Sequence, residues 1–355
     1  MKFRTIRTAL GAALLISLAA CGSKSKDKHS KDDETEESSA KSKKKDKAPK
    51  AALVEVALPP VGLDKPEKQT LGGKEISAEL CKMDKAGSDM HDEWFHKALR
   101  AAAIAADGSL YILDHELKVR KYKNQKDDGC ELALDKTFGK DGILDLGYAK
   151  DGSADQLSVD KSGAIYVNGS PAKKIVDGKA TDFDCGAIGG PESDTLIDGT
   201  RLVKDGKCTS DSVDFKGWDK DSYPKAIAVL ADGFLVSGSK KEGDKNVIKV
   251  AWQGADGAQK TIVGKADGDE DICYAHGAAI QGGNLMVVDG NCKALRVWKP
   301  DGSFVGKLDL YKLAGFSIMP RMLEVGKNAV YVIGSGDGKG DDKEDHGVVV
   351  RLTGL

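Results

Sequence analysis

One hairpin recurs along the chain. Five stretches share a short apolar strand, a turn with Gly or Asn, and a second apolar strand. They are AAAIAADGSLYILD (101–114), DQLSVDKSGAIYVNG (155–169), AIAVLADGFLVSG (226–238), GAAIQGGNLMVVDG (277–290) and RMLEVGKNAVYVIG (321–334). A weaker sixth, DTLIDGTRLVKDG, covers 194–206. The turn residues Gly108, Gly163, Gly199, Gly233, Gly283 and Asn328 are spaced by 55, 36, 34, 50 and 45 residues. Gly and Asn suit a tight turn that needs positive φ. A third strand often follows, as in LKVRKY (117–122), NVIKVAW (246–252) and ALRVWK (294–299). The 42 glycines and 6% aromatics suit many short strands better than helical packing.

A hairpin unit repeated at this period predicts an all-β fold, a β-propeller, and six units predict six blades. The last unit offers three strands, ending in GVVVRLTGL (347–355), and the apolar AALVEVAL (51–58) is expected to complete it. Residues 77–97 break the pattern and are expected to form a short helical and loop insertion packed on one face. The segment 277–308, preceded by His276, resembles an NHL repeat, and the other units resemble it loosely. That resemblance implies a propeller and no particular activity, because the fold hosts many unrelated functions.

Before the repeats lie two segments of another kind. Residues 1–20 have basic Lys2, Arg4 and Arg7, then an apolar run from Ala9 to Ala20, too short for a spanning helix. The run ends Leu18-Ala19-Ala20-Cys21, which resembles a lipobox. The resemblance implies a signal peptide cut before Cys21 and diacylglyceryl and acyl (palmitate-type) lipid on that cysteine. Two or three acyl chains anchor stably where one binds marginally. Residues 21–50 are then a lipidated cysteine and a disordered charged tether, and residues 51–355 the propeller. The tether is almost all Ser, Lys, Asp and Glu and cannot offset its ordering entropy by burial. Gly22 and Ser23 follow the cysteine, with no Asp to hold the chain at the inner membrane. The expected location is the cell envelope, at the outer membrane over the inner. Expected partners are the membrane itself and an envelope protein or cell-wall polymer.

Charge excludes one class of partner. The whole chain is −2, but the leader carries three cations and residues 22–50 carry ten Lys against seven acids, which leaves −8 on residues 51–355. So acidic a domain repels polyphosphate, and nucleic-acid binding is not expected.

Setting Cys21 aside leaves six cysteines, an even number in an exported chain, which points to disulfides. Cys208 lies nine residues after Gly199, and Cys292 nine after Gly283. Each has a cysteine upstream of its hairpin. The pairs expected are Cys185–Cys208, Cys273–Cys292 and, by remainder, Cys81–Cys130.

Propellers bind at a mouth of the central channel, near the start of each innermost strand. Here those positions are Arg100, Asp155, Lys225, His276 and Arg321, a mixed polar set. Asp267, Asp269 and Asp271 alternate as in a calcium loop, but Ile272 and Ala278 stand where an EF-hand needs Gly and Glu. A solvated acidic turn is the first expectation there, and for residues 337–345, with calcium the second. No other cofactor is expected. No nucleophile, metalloprotease or phosphate-loop motif stands in a fitting context. The chain reads as a membrane-anchored binding or scaffold module. The alternative is a six-bladed enzyme, of lactonase, sugar dehydrogenase or lyase type, with a metal or quinone at the channel mouth.

Overall fold

The structure, a computed structural model, describes residues 65–355 apart from 85–94, 96, 124–128, 150–151, 206, 327 and 338–344. Among the described residues the strands form six antiparallel sheets of four or five strands and one two-stranded ribbon. The sheets follow one another along the chain as the six blades of a propeller. Blade 1 has strands Ala101–Ile104, Leu110–Leu113, Lys118–Tyr122 and Ile143–Asp145. Blade 2 runs Ser153–Val159, Ile165–Ser170, Ala172–Val176 and Lys179–Phe183. Blade 3 runs Ile188–Gly190, Ser193–Asp198, Arg201–Lys204 and Lys207–Ser212. Blade 4 runs Lys225–Leu230, Gly233–Glu242, Lys245–Gly254 and Gln259–Val263. Blade 5 runs Ala275–Gln281, Asn284–Asp289, Ala294–Trp298 and Phe304–Asp309.

Blade 6 closes the ring. Its strands Ile318–Val325, Val330–Asp337 and Asp345–Thr353 come from the C-terminal part of the chain. The next two, Lys74–Leu80 and Gln69–Leu71, come from the N-terminal part. The register runs Ser77↔Thr353 to Leu80↔Val350. The closing place expected for 51–58 is thus held by Lys74–Leu80, and 51–58 lies outside the described residues. The expected helical insertion at 77–97 is corrected in its first part, while 85–94 and 96 lie outside the described residues. Its first part is the end of this closing strand, followed by Lys82–Met83, which pairs in parallel with Glu131–Leu132. The pattern KEISAEL alternates, with Ile76 fully buried, which suits a strand covered on one face.

Six hydrophobic clusters fill the seams between neighbouring blades. In blade 5 the run Leu285-Met286-Val287-Val288 is fully buried because alternate side chains face opposite neighbours. Leu285 and Val287 pack with Leu235 and Val250 of blade 4, and Met286 and Val288 with Val330 and Val332 of blade 6. This is why middle strands read as unbroken apolar runs. The seam between blades 2 and 3 is thinnest, with Ala164, Tyr166, Ala187 and Val203 as its buried residues. The helix Leu310–Ala314 is capped by Asp309, which accepts the Lys312 N–H at 3.2 Å, and plugs the blade 5–6 seam with Leu310 and Leu313. Turns are set locally. Asp107, Asp160 and Asp301 each accept the backbone N–H two residues on, from Ser109, Ser162 and Ser303.

Blade 3 departs from the sequence parse. Gly199 is the turn between its second and third strands, not between its first and second. The first strand is only Ile188–Gly190, and it turns through Pro191-Glu192.

Candidate functional site at the channel mouth

The first strands of the blades surround a central cavity of about 780 Å³. Arg100, Asp155, Lys225, His276 and Arg321 all line it, on five of the six blades. Blade 3 brings only Ile188, Gly189, Pro191 and Glu192.

A repeated irregularity of the backbone positions them. In blade 2, Ala154 faces Gly169 and Gln156 faces Asn168, so Asp155 is an extra, unpaired residue. The same single-residue bulge falls at Ile227 in blade 4, His276 in blade 5 and Arg321 in blade 6. A bulge re-aims the side chain it carries. Three of the five expected residues are therefore bulge residues on one rung of the ring. Lys225 begins the blade 4 strand two residues earlier. Arg100 precedes the blade 1 strand, which has no bulge. Its guanidinium reaches the carbonyls of His115 at 3.3 Å and Ala154 at 3.4 Å, bracing blade 1 to blade 2.

His276 is held on one side. Its Nδ1 accepts the Gly290 N–H at 3.0 Å, which leaves the proton on Nε2. Gly290 must be glycine, because a Cβ there would lie 2.7 Å from the imidazole and 2.6 Å from the Pro320 carbonyl oxygen. Burial is the main cause that lowers the His276 pKa, and Arg321 lowers it further, so the ring is neutral at neutral pH. Tyr274 lies beside it with the rings tilted, centroids 4.5 Å apart, and is half exposed at the rim.

Behind the mouth stands a buried ion pair the sequence reading did not single out. Asp289 and Arg296 are 2.8 Å apart with side chains 0% and 3% exposed. The Asp289 carboxylate also accepts the N–H groups of Cys273, Tyr274 and Cys292 at 2.7–3.2 Å, fixing the lead-in to His276. Asp114 and Arg120 repeat the pair in blade 1, 3.0 Å apart and equally buried. The signal was present: an Asp at or just after the end of the second strand and an Arg in the third, six or seven residues on.

Deeper in the cavity, Glu324 was also missed. It stands on the first strand of blade 6, half-buried at the cavity wall, and accepts the Ile104 N–H at 3.0 Å. Burial pushes its carboxyl up to about 8.

The calcium candidates lie apart from the cavity. Asp267 pairs with Lys245 at 2.6 Å, and Asp269 with Lys307 at 2.6 Å. Asp271 closes a short 3₁₀ turn by donating its N–H to the Gly268 carbonyl. The loop within 337–345 and Cys21 fall outside the described residues. The six remaining cysteines are joined as Cys81–Cys130, Cys185–Cys208 and Cys273–Cys292. The equivalence used to pair them does not hold in space. Cys292 lies in the loop between second and third strands, whereas Cys208 lies on the outermost strand of blade 3. Cys81–Cys130 ties the residue just after the closing strand of blade 6 to the segment before Glu131–Leu132.

No family model matches the chain, and no curated protein does. Among solved structures, it is similar to the β-propeller domain of Cps50 (Swd1) from Myceliophteria thermophila, at 13% identity and a TM-score of 0.40, covering 73% of this chain and 96% of that one. It is also similar to a protein of unknown function from Bacteroides caccae, at 13% identity and a TM-score of 0.25, covering 72% of this chain and 71% of that one.

Proposed function

We propose that the chain is a lipid-anchored protein of the bacterial cell envelope whose propeller binds a ligand or partner at the mouth of its central channel. The convergence at the mouth carries this reading. Four blades spend a β-bulge on one rung, and three of those bulges present Asp155, His276 and Arg321 to the cavity. Bulges interrupt ladder pairing and recur where a side chain must be re-aimed. Support for the anchor comes from the lipobox-like Leu18-Ala19-Ala20-Cys21 and the charged tether after it. Among the described residues no helix is long and apolar enough to cross a membrane. The NHL-like character of 277–308 belongs to the same proposal. The enzyme alternative needs a metal or quinone at this mouth. The five residues hold three cations, one carboxylate and one neutral imidazole, a donor set unfavourable to a divalent ion.

Two measurements test it. Metabolic labelling with palmitate, followed by envelope fractionation, should label the wild type and not Cys21→Ala; label on both overturns the anchor. A photo-crosslinking amino acid placed at Tyr274 should capture a molecule in intact envelopes that the same probe at exposed Val176, on blade 2, does not. Equal capture at both sites overturns the mouth.

A further inference from the structure

Taking the mouth as the binding site, we propose that the channel accepts a small aliphatic carboxylate, with its head at the cationic rim and its hydrocarbon body in the bore. The rim supplies the charge. Lys225 and Arg321, on the blades either side of His276, are exposed and have no ion-pair or hydrogen-bond partner among the described residues. Lys245, Lys260 and Lys307, on the outer strands, each hold an aspartate. Arg100 adds a third cation at the rim, and Asp155 is the one acid among the five mouth residues. The five rim residues carry three cations against one acid, while Glu192 and Asp232 line the cavity at the turns that end the first strands, so an anionic head is drawn to the rim end of the cavity. His276 offers an Nε2–H donor and no charge.

The bore supplies the rest. Below the rim the wall sets the small Ala102, Ala228 and Ala278 among the larger aliphatic Leu157, Ile188 and Leu323, with Glu192 and Asp232 at its far end. Small side chains leave the bore open where larger ones would fill it. At about 25 cal/mol per Å² of apolar area, each methylene buried there contributes about 0.8 kcal/mol. The acid within, Glu324, carries a raised pKa of about 8 and so is uncharged at neutral pH. A hydrocarbon chain meets no fixed charge from that group, and a cationic head gains no partner from it.

The test uses the full chain in lipid nanodiscs and titration calorimetry at pH 7, with empty nanodiscs subtracted. Probes are octanoate, acetate, octylamine and inorganic phosphate. Octanoate is expected to bind at least about tenfold more tightly than acetate or octylamine, and Lys225→Ala/Arg321→Ala to lose about tenfold or more. Ala278→Phe, which narrows the bore, should weaken octanoate and spare acetate. Melting curves separate lost binding from lost folding, and the two rim substitutions are on exposed residues. Octylamine equal to octanoate overturns the anionic head, and phosphate or acetate equal to octanoate overturns the aliphatic body. Octanoate silent while the probe at Tyr274 still captures a molecule overturns the ligand class alone; both silent overturns the mouth as a site.

Discussion

Blades 5 and 3 hold themselves together by different means. In blade 5 the second strand is buried on both faces, Trp298 is fully enclosed, and Asp289 and Arg296 form a buried pair that also fixes two loops. Blade 3 has a first strand of three residues, an outer strand Lys207–Ser212 that is mostly exposed, and the thinnest seam in the ring toward blade 2. Its ion pairs, Arg201–Asp198 and Lys204–Asp211, lie at the surface. Both blades carry a disulfide from a cysteine just before the first strand, but only blade 5 has dense packing as well. Blade 5 is therefore held by burial, and blade 3 leans on its covalent link. A ring of this kind opens first where burial is least, so local unfolding belongs to blade 3.

The sharpest way to break this contrast is to unpair the charge in blade 5. Arg296→Ala leaves the Asp289 carboxylate buried without its cation. The expected loss is about 3–5 kcal/mol in urea unfolding, the usual cost of stranding a buried charge. Asp289 also holds the Cys273 and Tyr274 amides, so the substitution should disturb the His276 ring signals in NMR spectra. A loss under about 1 kcal/mol means blade 5 does not depend on the pair.

Removing the disulfides comes next. The pairs are separated by 23 residues in blade 3 and 19 in blade 5, so loop entropy assigns each about 3 kcal/mol. Equal entropies do not mean equal consequences. Cys185→Ser/Cys208→Ser should raise amide exchange throughout 188–212, while Cys273→Ser/Cys292→Ser should leave 284–298 protected. Similar protection in both variants would remove the distinction between the blades.

The same contrast explains what could be read in advance. Blade 5 was legible because its apolar runs are long, its turn Gly283 is plain, and each strand alternates toward two dry seams. The six-blade count was legible too, and the cysteine partners agree with the expectation although the repeat equivalence behind it does not hold. In blade 3 the first strand, Ile188-Gly189-Gly190, has too few side chains to show a period, so the next hairpin was taken for the inner one. The closing strand was missed because Lys74–Leu80 mixes charged and apolar residues, as an outer strand does, while 51–58 is more apolar. Of the mouth, the five residues were legible as positions before or within the first strands. The bulges were not, since one extra residue in a strand leaves no mark in the residue pattern. Glu324 was hidden for a related reason: one acid in RMLEV looks like the solvent side of an alternating strand.

Glu324 extends the comparison to blade 6, where an acid faces the cavity with a backbone N–H, not a cation, as its hydrogen-bond partner among the described residues. Its pKa is about 8 in the folded chain against an ordinary 4.5. Between those values the folded chain holds a proton that the unfolded chain has lost. Stability from this group is therefore complete below about pH 4.5 and falls as pH rises to about 8, by at most ~1.4 kcal/mol per pH unit. Glu324→Gln should remove that part of the slope, matching wild type near pH 4 and exceeding it at pH 9. An unchanged slope in the variant would show that the carboxyl ionises freely in the cavity.

The smallest effect tests the comparison from the side of blade 3. Arg201 and Asp198 are an Arg–Asp pair like Arg296 and Asp289, but their side chains are 55% and 28% exposed against 3% and 0%. Water already screens the exposed pair, and holding two mobile side chains together costs entropy that offsets the attraction. Arg201→Ala should therefore change unfolding free energy by less than about 0.5 kcal/mol, and 0.5 M salt should erase even that. The buried pair in blade 5 should be nearly insensitive to the same salt. If Arg201→Ala instead costs as much as Arg296→Ala, then blade 3 is held by charge as blade 5 is, and its disulfide is an addition to that hold and not a substitute for it.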